Sequence, residues 1–432
     1  MDTIRKELLP GVWLTALRSD KFKTGCLSVS LLTQLDRETA SLNALIPYVL
    51  RRGSRYHSDM RTLASELDSL YGSYIEPVVR KIGEIQCIGF LSSFVDEAYL
   101  PAGSGVFESA ARLTAELLLT PVTKGGLLLP EYVESEKEKL KDEILSKLNN
   151  KRAYSLQRLI EQMCCFEPFA VSRYGSEDAV ESIHYQKLTK HYRSLIMSSP
   201  VEIFYCGSLS ADKVADVLSD ALSGMPRGEI NYDIGTDIRM NAVEESVRSF
   251  SDELSVAQGQ LVMGYRLGEC MDDMDIAALY TFNAVFGGSV TSKLFMNVRE
   301  KLSLCYYASS LLDTHKGLMI VSSGVDFDKF DAAKAEIEAQ LDAVRRGDVT
   351  KKELNAAKSS VASDLRAMMD SQYSLEGFYL ANTIDGLDFD PSELAAAVEC
   401  VELDSVVEIA NSVVPDAVYY LRGCEEVNSD EA

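Results

Sequence analysis

Histidine and carboxylate side chains are the residues of this chain that could bind a catalytic metal ion. The 432 residues contain four histidines, and none of them stands in a His-x-x-Glu-His motif or its reverse. That motif places two imidazoles on one helical face around Zn²⁺, and its glutamate takes a proton from a metal-bound water. His184 and His191 lie seven residues apart and can share a helical face. Because two histidines without a third ligand are a weak metal signal, we expect surface or packing roles for both.

Two glutamates at the same spacing lie in the charged segment PEYVESEKEKLKDEILSKLNN, residues 130–150. The proline suits the first turn of a helix, and the segment is predicted to be helical throughout. Glu136 and Glu143 then face the same side, two turns apart. The simplest interpretation of Glu143 is a solvated or hydrogen-bonded helix residue.

A third set of candidate groups lies in residues 286–307, which read FGGSVTSKLFMNVREKLSLCYY. The glycine pair permits a tight or left-handed backbone, and apolar residues at three- and four-residue steps then predict a helix. Arg299 lies on that helix, and Tyr306 stands at the entry to a predicted strand. Both side chains can donate a hydrogen bond to a peptide carbonyl without ionising. The alternative is an ordinary surface arginine and a strand tyrosine with a solvated hydroxyl.

The periodicity of apolar residues predicts the elements that must position these groups. Strands are expected within segments 1–35, 74–90, 201–207, 260–266, 304–307, 318–323 and 418–421. Helices are expected at 39–52, 58–71, 94–119, 130–150, 155–166, 184–195, from 210 onward, and at 273–286, 327–345, 350–371, 391–399 and 405–413.

The order of these elements indicates two similar halves. Strands, a helix, a long helix and a final strand follow one another in residues 8–210 and again in 255–425. The segment around residues 226–253 contains proline, glycines and many charges with little periodicity, which is typical of a linker. We therefore predict an N-terminal half at 1–225, a linker at 226–253 and a C-terminal half at 254–425.

Composition restricts the classes of partner. The net charge of −23 disfavours nucleic acid and anionic membranes as partners. No apolar run reaches the length of a membrane span, and the first residues lack the pattern of a secretory signal. The nine cysteines show no metal-type spacing, and their odd number argues against a disulfide framework. These features predict a cytoplasmic protein with reduced cysteines.

The run at 286–307 resembles the C-terminal half of the insulinase/pitrilysin-type metallopeptidases, which include the mitochondrial processing peptidases. Their Gly-Gly, Ser-x-Leu-Phe, Arg-Glu-Lys and Leu-x-Tyr anchors stand here at Gly287-Gly288, Ser292–Phe295, Arg299–Lys301 and Leu304–Tyr306. The resemblance implies that Arg299 and Tyr306 bind substrate, with Tyr307 as an alternative to Tyr306. It also implies an α+β fold of two similar halves, each a mostly antiparallel sheet with helices packed on it, which enclose a cleft.

The same resemblance locates the zinc motif on the predicted helix at 39–52. The first histidine falls on Ala44, the glutamate on Pro47 and the second histidine on Tyr48, while Glu143 retains the position of the third ligand. Alanine has no donor atom, proline has no carboxylate, and a neutral tyrosine is a poor zinc ligand. We therefore expect no zinc and no catalytic residue, and the chain is predicted to be inactive on its own.

These departures lead to three alternative functions. The first is the non-catalytic subunit of a heterodimer, which holds a peptide substrate for a zinc-bearing sister chain. The second is a homodimeric scaffold that binds peptides without hydrolysis. The third is a metallopeptidase with an atypical site built on Glu143 and Tyr48. Whether the chain is an enzyme at all stays open at this point.

Overall fold

Two sheets of the same topology organise the chain, and each is the core of a separate compact unit. The computed structural model describes residues 2–271 and 275–424. The first unit consists of the residues up to Leu145, Val171–Gly235 and Met369–Asp388. The second unit consists of Ser146–Ala170, Thr236–Met368 and the residues from Phe389 onward.

The strands of the described residues are, in chain order, β1 Asp2–Leu9, β2 Val12–Arg18, β3 Thr24–Gln34, β4 Tyr74–Ile82, β5 Ile85–Val95, β6 Thr123–Lys124, β7 Leu127–Leu128, β8 Val201–Gly207, β9 Arg248–Leu254, β10 Gly259–Arg266, β11 Cys305–Asp313, β12 Leu318–Val325 and β13 Val414–Gly423. The α-helices are α1 Ala40–Leu50, α2 Met60–Ser69, α3 Val106–Leu119, α4 Pro130–Ser146, α5 Lys151–Met163, α6 Glu177–Glu181, α7 Tyr185–Ser198, α8 Ala211–Ala221, α9 Ile276–Asn283, α10 Phe330–Arg345, α11 Lys351–Met368, α12 Gln372–Asp385, α13 Pro391–Cys400 and α14 Leu403–Ser412.

Five consecutive strands of the six-stranded first sheet match the five strands of the second sheet. The first unit has the order β1-β2-β8-β3-β5-β4, and the second has β11-β12-β10-β13-β9. Each is antiparallel except for a single parallel pair, β2 with β8 and β9 with β13. Strands β4, β5, β3, β8 and β2 of the first sheet therefore correspond, in that order, to β11, β12, β10, β13 and β9 of the second sheet. This confirms the prediction of two similar α+β halves.

The central strands of both sheets are buried along their whole length. Every residue of β8 and of β10 is buried, and both strands read as nearly continuous apolar runs. Such runs form where helices cover both faces of a sheet. In the first unit the core lies between the sheet and helices that include α1, α3, α7 and α8.

Each sheet is covered by a helix that lies far from it in the sequence. Helix α5 belongs to the second unit and packs on β10 and β13. Helix α12 belongs to the first unit and packs on β8 and β3. The two units are therefore discontinuous in sequence, whereas the predicted halves are contiguous. The predicted linker at 226–253 includes most of β9, which pairs with β13.

Buried ion pairs attach the segment after α5 to the second sheet. Glu167 contacts Arg266 at 2.7 Å and Lys316 at 2.7 Å, and Arg266 also contacts Asp416 at 2.8 Å. Arg248 pairs with the other oxygen of Asp416 at 2.5 Å. Burial alone would raise the pKa of Glu167, but the hydrogen bonds from Arg266 and Lys316 lower it. Loss of one member of such a cluster costs about 3–5 kcal/mol, because a buried charge stays unpaired.

The prediction of a helix at 94–119 is wrong in its first part. Strand β5 continues to Val95 because its residues pair with β3 along their whole length. Gly105, at φ +64°, precedes the helix, and α3 begins only at Val106. The hairpin between β4 and β5 turns at Gly83 within the segment 74–90 where strands were expected, and β4 with its proline is an edge strand. Within 2–271 and 275–424, no helix is both long enough and apolar enough to cross a membrane.

Candidate functional site

Helix α1 carries Ala44, Pro47 and Tyr48, the positions at which the resemblance places the zinc motif. Ala44 is fully buried and Pro47 is buried within the helix, so both side chains belong to the core of the first unit. The helix continues past the proline, since the Arg51 N–H donates to the Pro47 carbonyl at 3.0 Å. Neither position offers a ligand atom to a metal ion.

Tyr48 is the one residue of the three with an oxygen that could bind a metal. Burial raises the pKa of its phenol far above the usual value, and a hydrogen bond with Tyr174 and the charge of Glu143 act in the same direction. The phenol is therefore neutral at physiological pH, and a neutral phenol is a poor zinc ligand. Glu143 is exposed on α4. Because its charge acts on the Tyr48 phenol, the two residues of the atypical-site hypothesis lie close together.

The other glutamate of the predicted pair has a structural partner. Glu136 is buried on α4 and accepts hydrogen bonds from Arg52 at 3.1 Å and from Lys139 at 2.7 Å. Its charge is therefore compensated by two cations of the same unit. This geometry explains why Glu136 is buried while Glu143, two turns further along, is exposed.

A buried hydrogen-bond network lies next to the degenerate positions. His191 Nε2 lies 2.6 Å from Asn43 Oδ1, and Asn43 Nδ2 donates to Gln86 Oε1 at 2.8 Å. Gln86 Nε2 donates in turn to the carbonyls of Ala40 and Arg173. Burial lowers the pKa of His191, which favours the neutral ring. Because the Asn43 amide oxygen can only accept, Nε2–H is the donor.

His191 and His184 do not share a site. His184 is exposed and stands immediately before α7, whereas His191 contacts the buried network. Within the described ranges, no group of three His, Cys, Asp or Glu side chains is placed to hold a metal ion. Arg173 and Tyr174 were not singled out from the sequence, since they lie in a loop without periodicity whose position beside α1 only the fold reveals.

Arg299 lies on a π-helical segment of the second unit. The π-helical segment Leu294–Lys301 replaces the regular helix predicted after the glycine pair, and a second one, Ala284–Gly288, contains that pair at the end of the helix predicted at 273–286. The guanidinium stacks 4.7 Å from the centre of the Phe295 ring, and the side chain is 41% exposed. The segment ends at Lys301, and Ser303, two residues later, has φ +48°.

Tyr306 is the extra residue of a β-bulge in the edge strand β11. Cys305 pairs with Val325 and Tyr307 with Gly324, so Tyr306 has no partner on β12. Its side chain is 61% exposed, and its hydroxyl donates to Asp326 at 3.0 Å. That hydrogen bond raises the pKa of Tyr306, so the phenol stays neutral.

Tyr307 has a different environment from Tyr306. Its ring is half-buried under Arg152, and its hydroxyl hydrogen-bonds to Gln260 and to Ser322, the latter at 3.1 Å. Arg299 lies close enough to the start of β11 for its charge to act on the thiol of Cys305, although burial is the larger influence there and raises that pKa. The accessible pair beside β11 is therefore Arg299 and Tyr306.

Comparison with known proteins identifies the family. Residues 182–361 match the family described as Peptidase M16 inactive domain. Probable inactive metalloprotease YmfF of Bacillus subtilis (strain 168) is 31% identical over 417 residues, which is 96% of each chain. The chain belongs to the M16 peptidase family. The resemblance to insulinase/pitrilysin-type peptidases and the α+β fold that it implied are thus confirmed, and the chain is homologous to a protein named as inactive.

Other M16 relatives include a protein named as a protease. The uncharacterized zinc protease YmxG of the same Bacillus strain is 24% identical over 46% of this chain and 47% of its own. Among solved structures, a conserved protein from Enterococcus faecalis V583 has 26% identity and a TM-score of 0.88, with 99% of this chain and 100% of that chain covered.

Proposed function

We propose that this M16-family chain is the non-catalytic subunit of a two-chain zinc peptidase, in which it binds and positions a peptide for a zinc-bearing sister chain. The observation that carries the proposal is the contrast between its two units. Ala44 and Pro47 offer no ligand and are buried, whereas Arg299 and Tyr306 are accessible beside an edge strand. A chain that retained only packing functions would not need this exposed pair.

The second unit suits an extended peptide for a physical reason. The outer edge of β11 has main-chain N–H and C=O groups that no strand of its own sheet uses. An extended peptide can pair with such an edge, and its backbone carbonyls can then accept hydrogen bonds from side chains next to the strand. Arg299 and Tyr306 are donors of that kind.

The relatives support a partner with its own zinc site. One Bacillus strain has both a relative named as an inactive metalloprotease and a relative named as a zinc protease. This combination is what a pair of one metal-free and one metal-bearing chain requires. We therefore expect the partner to be a similar chain with an intact His-x-x-Glu-His motif.

The first test is purification of the tagged chain from its own cells, with identification of the co-purifying proteins and measurement of native mass and zinc. A partner with the zinc motif, recovered at one-to-one stoichiometry, supports the proposal, with about one zinc per pair and none when this chain is purified alone. Recovery of this chain only with itself contradicts it and favours the homodimeric peptide-binding scaffold. Stoichiometric zinc in this chain alone favours the atypical metallopeptidase.

The second test addresses the role of Arg299. Arg299→Ala should lower the peptidase activity of the reconstituted pair about tenfold or more, the typical effect of a lost charged hydrogen bond to substrate. Arg346→Ala is the matched control, because Arg346 is an exposed arginine of the same unit that pairs only with the nearby Asp348 among the described residues. Full activity of the Arg299→Ala pair would exclude substrate binding by this residue.

A further inference from the structure

A large cavity lies in the first unit, on the side of α7 that faces the end of α3. Its volume is about 730 Å³, which is within the usual range of small-molecule sites. Its walls come from the segment after α1, from the turn that follows α3, from β7 and from α7. The M16 features described above do not use this cavity, since none of Tyr48, Glu143, Arg299 or Tyr306 lines it.

The cavity has an apolar interior and two cations. Leu119, Val122, Leu128, Ile196 and Met197 contribute apolar side chains to its wall. Arg55 and Arg193 are the charged side chains that line it, and no described residue of the lining is an aspartate or a glutamate.

This charge pattern is opposite to that of the whole chain, which has 66 acidic and 43 basic residues. Glu116 lies behind Ser54 at 3.5 Å, but its carboxylate is paired with His57 at 3.2 Å. The cavity is therefore a locally cationic site on a strongly anionic protein.

The Tyr192 and Thr189 hydroxyls of the wall already have partners. The Tyr192 hydroxyl donates to the Leu118 carbonyl at 2.7 Å. The Thr189 hydroxyl accepts from the Leu128 N–H at 3.1 Å and donates to the Tyr185 carbonyl at 2.6 Å. These groups are not available to a ligand, so the arginines are the main polar groups that can orient one.

The two arginines differ in how they are held. Arg193 donates to the carbonyl of Gly126 in the turn between β6 and β7, which fixes its position at the wall. Arg55 is exposed, and its guanidinium has no hydrogen-bond or ion-pair partner within residues 2–271 and 275–424. A guanidinium without a partner, next to an apolar chamber, matches a carboxylate in shape and charge.

We propose that this cavity binds medium-chain monocarboxylates, with the alkyl chain against the apolar wall and the carboxylate at Arg55 and Arg193. The apolar wall contributes affinity through burial of methylene groups, and the arginines contribute selectivity for the anion over a neutral head group. The site is independent of the zinc-motif positions and of the edge strand β11, and it does not rest on the proposed subunit function.

Titration calorimetry of the full chain with decanoate, below its critical micelle concentration, tests the proposal. We expect one site per chain, affinity about tenfold weaker for octanoate because two buried methylenes are lost, and weaker binding of the neutral decanol. Equal affinity for decanol would overturn carboxylate recognition. The absence of saturable decanoate binding would overturn the site itself.

Variants locate the binding. The double variant Arg55→Ala/Arg193→Ala should weaken decanoate binding at least about tenfold, and it should fold normally because both side chains are exposed. Arg37→Ala is the control for loss of a surface positive charge, since Arg37 is an exposed residue of the turn before α1 and does not line the cavity.

Met197→Trp should reduce the affinity by narrowing the cavity from a partly exposed position, without changing the charge. Unchanged decanoate affinity in both the double-arginine variant and Met197→Trp would place the binding elsewhere and overturn the proposal.

Discussion

His191 Nε2 lies 2.6 Å from Asn43 Oδ1, and Asn43 directly precedes Ala44, the position of the first histidine of the missing zinc motif. The imidazole belongs to α7 and reaches α1 from a different part of the chain. Its ring is neutral and its proton is used to satisfy a buried amide. A histidine next to the degenerate zinc site therefore has a structural function that requires no metal.

Removal of the imidazole should destabilise the first unit. His191→Ala leaves the Asn43 carbonyl oxygen buried without its donor, which costs about 1–3 kcal/mol of unfolding free energy. Chemical denaturation followed by far-UV circular dichroism measures this difference. His184→Ala is the control, because this exposed residue lies outside the network and its loss should change stability by less than about 0.5 kcal/mol. Equal stability of both variants would contradict the proposed role.

The free energy of unfolding should depend on pH through the same histidine. Burial lowers the pKa of His191 in the folded chain below the unfolded value of 6.5, so the unfolded chain binds the proton more tightly. The contribution of His191 to stability is therefore complete above pH 6.5 and declines as the pH falls below that value. Denaturation at several pH values between about 5 and 8 should show a smaller slope for His191→Ala than for the wild type. Parallel slopes would mean that His191 does not titrate differently on folding.

Neutralisation of Glu167 should destabilise the second unit. Glu167→Gln leaves Arg266 and Lys316 buried with one counter-charge fewer, and the expected loss is about 3–5 kcal/mol in guanidinium denaturation. Glu161→Gln is a conservative control at the surface, where the pair with Arg158 is partly exposed and should contribute less than about 1 kcal/mol. A loss for Glu167→Gln no larger than that of the control would show that the cluster does not stabilise the fold.

Substitution of the two adjacent tyrosines of β11 should distinguish the residue that stabilises the fold from the residue that binds the peptide. Tyr307→Phe removes the hydrogen bonds to Gln260 and Ser322 and should cost about 1–2 kcal/mol of stability. Tyr306→Phe removes only an exposed hydrogen bond to Asp326, so stability should change by less than about 0.5 kcal/mol, while activity of the reconstituted pair falls. The reverse pattern would assign the substrate contact to Tyr307.

Local signals in the sequence were sufficient for much of the fold. The hairpin at Gly83 and the helix that begins after the Thr350–Glu353 capping box are specified by residues next to one another. Helix α12 was missed because three of its five buried residues are polar, so its apolar residues show no clear helical periodicity. Strand β9 alternates half-buried and exposed residues, but it lies among many charges and becomes a strand only by pairing with β13.

The sequence predicted only those features of the candidate site that follow from the type of a single residue. Ala44 and Pro47 lack donor atoms whatever the fold, so the loss of the motif follows from residue type alone. The contact between His191 and Asn43, and the burial of Glu167 against Arg266, join residues more than 90 positions apart. No spacing rule connects such residues, because their contact depends on how β8 and β10 are covered by helices.

Helices α5 and α12 each pack on a sheet whose strands lie far from them in the sequence, and this has a consequence for synthesis on the ribosome. The strands of the first sheet emerge early, but α12, which covers β8 and β3, is translated only near the end of the chain. One apolar face of the first sheet therefore stays uncovered during synthesis until residue 388 has left the exit tunnel. For the same reason, a fragment ending in the segment 226–253 would lack that helix and should need a chaperone or the remaining chain, added in trans, to stay in solution.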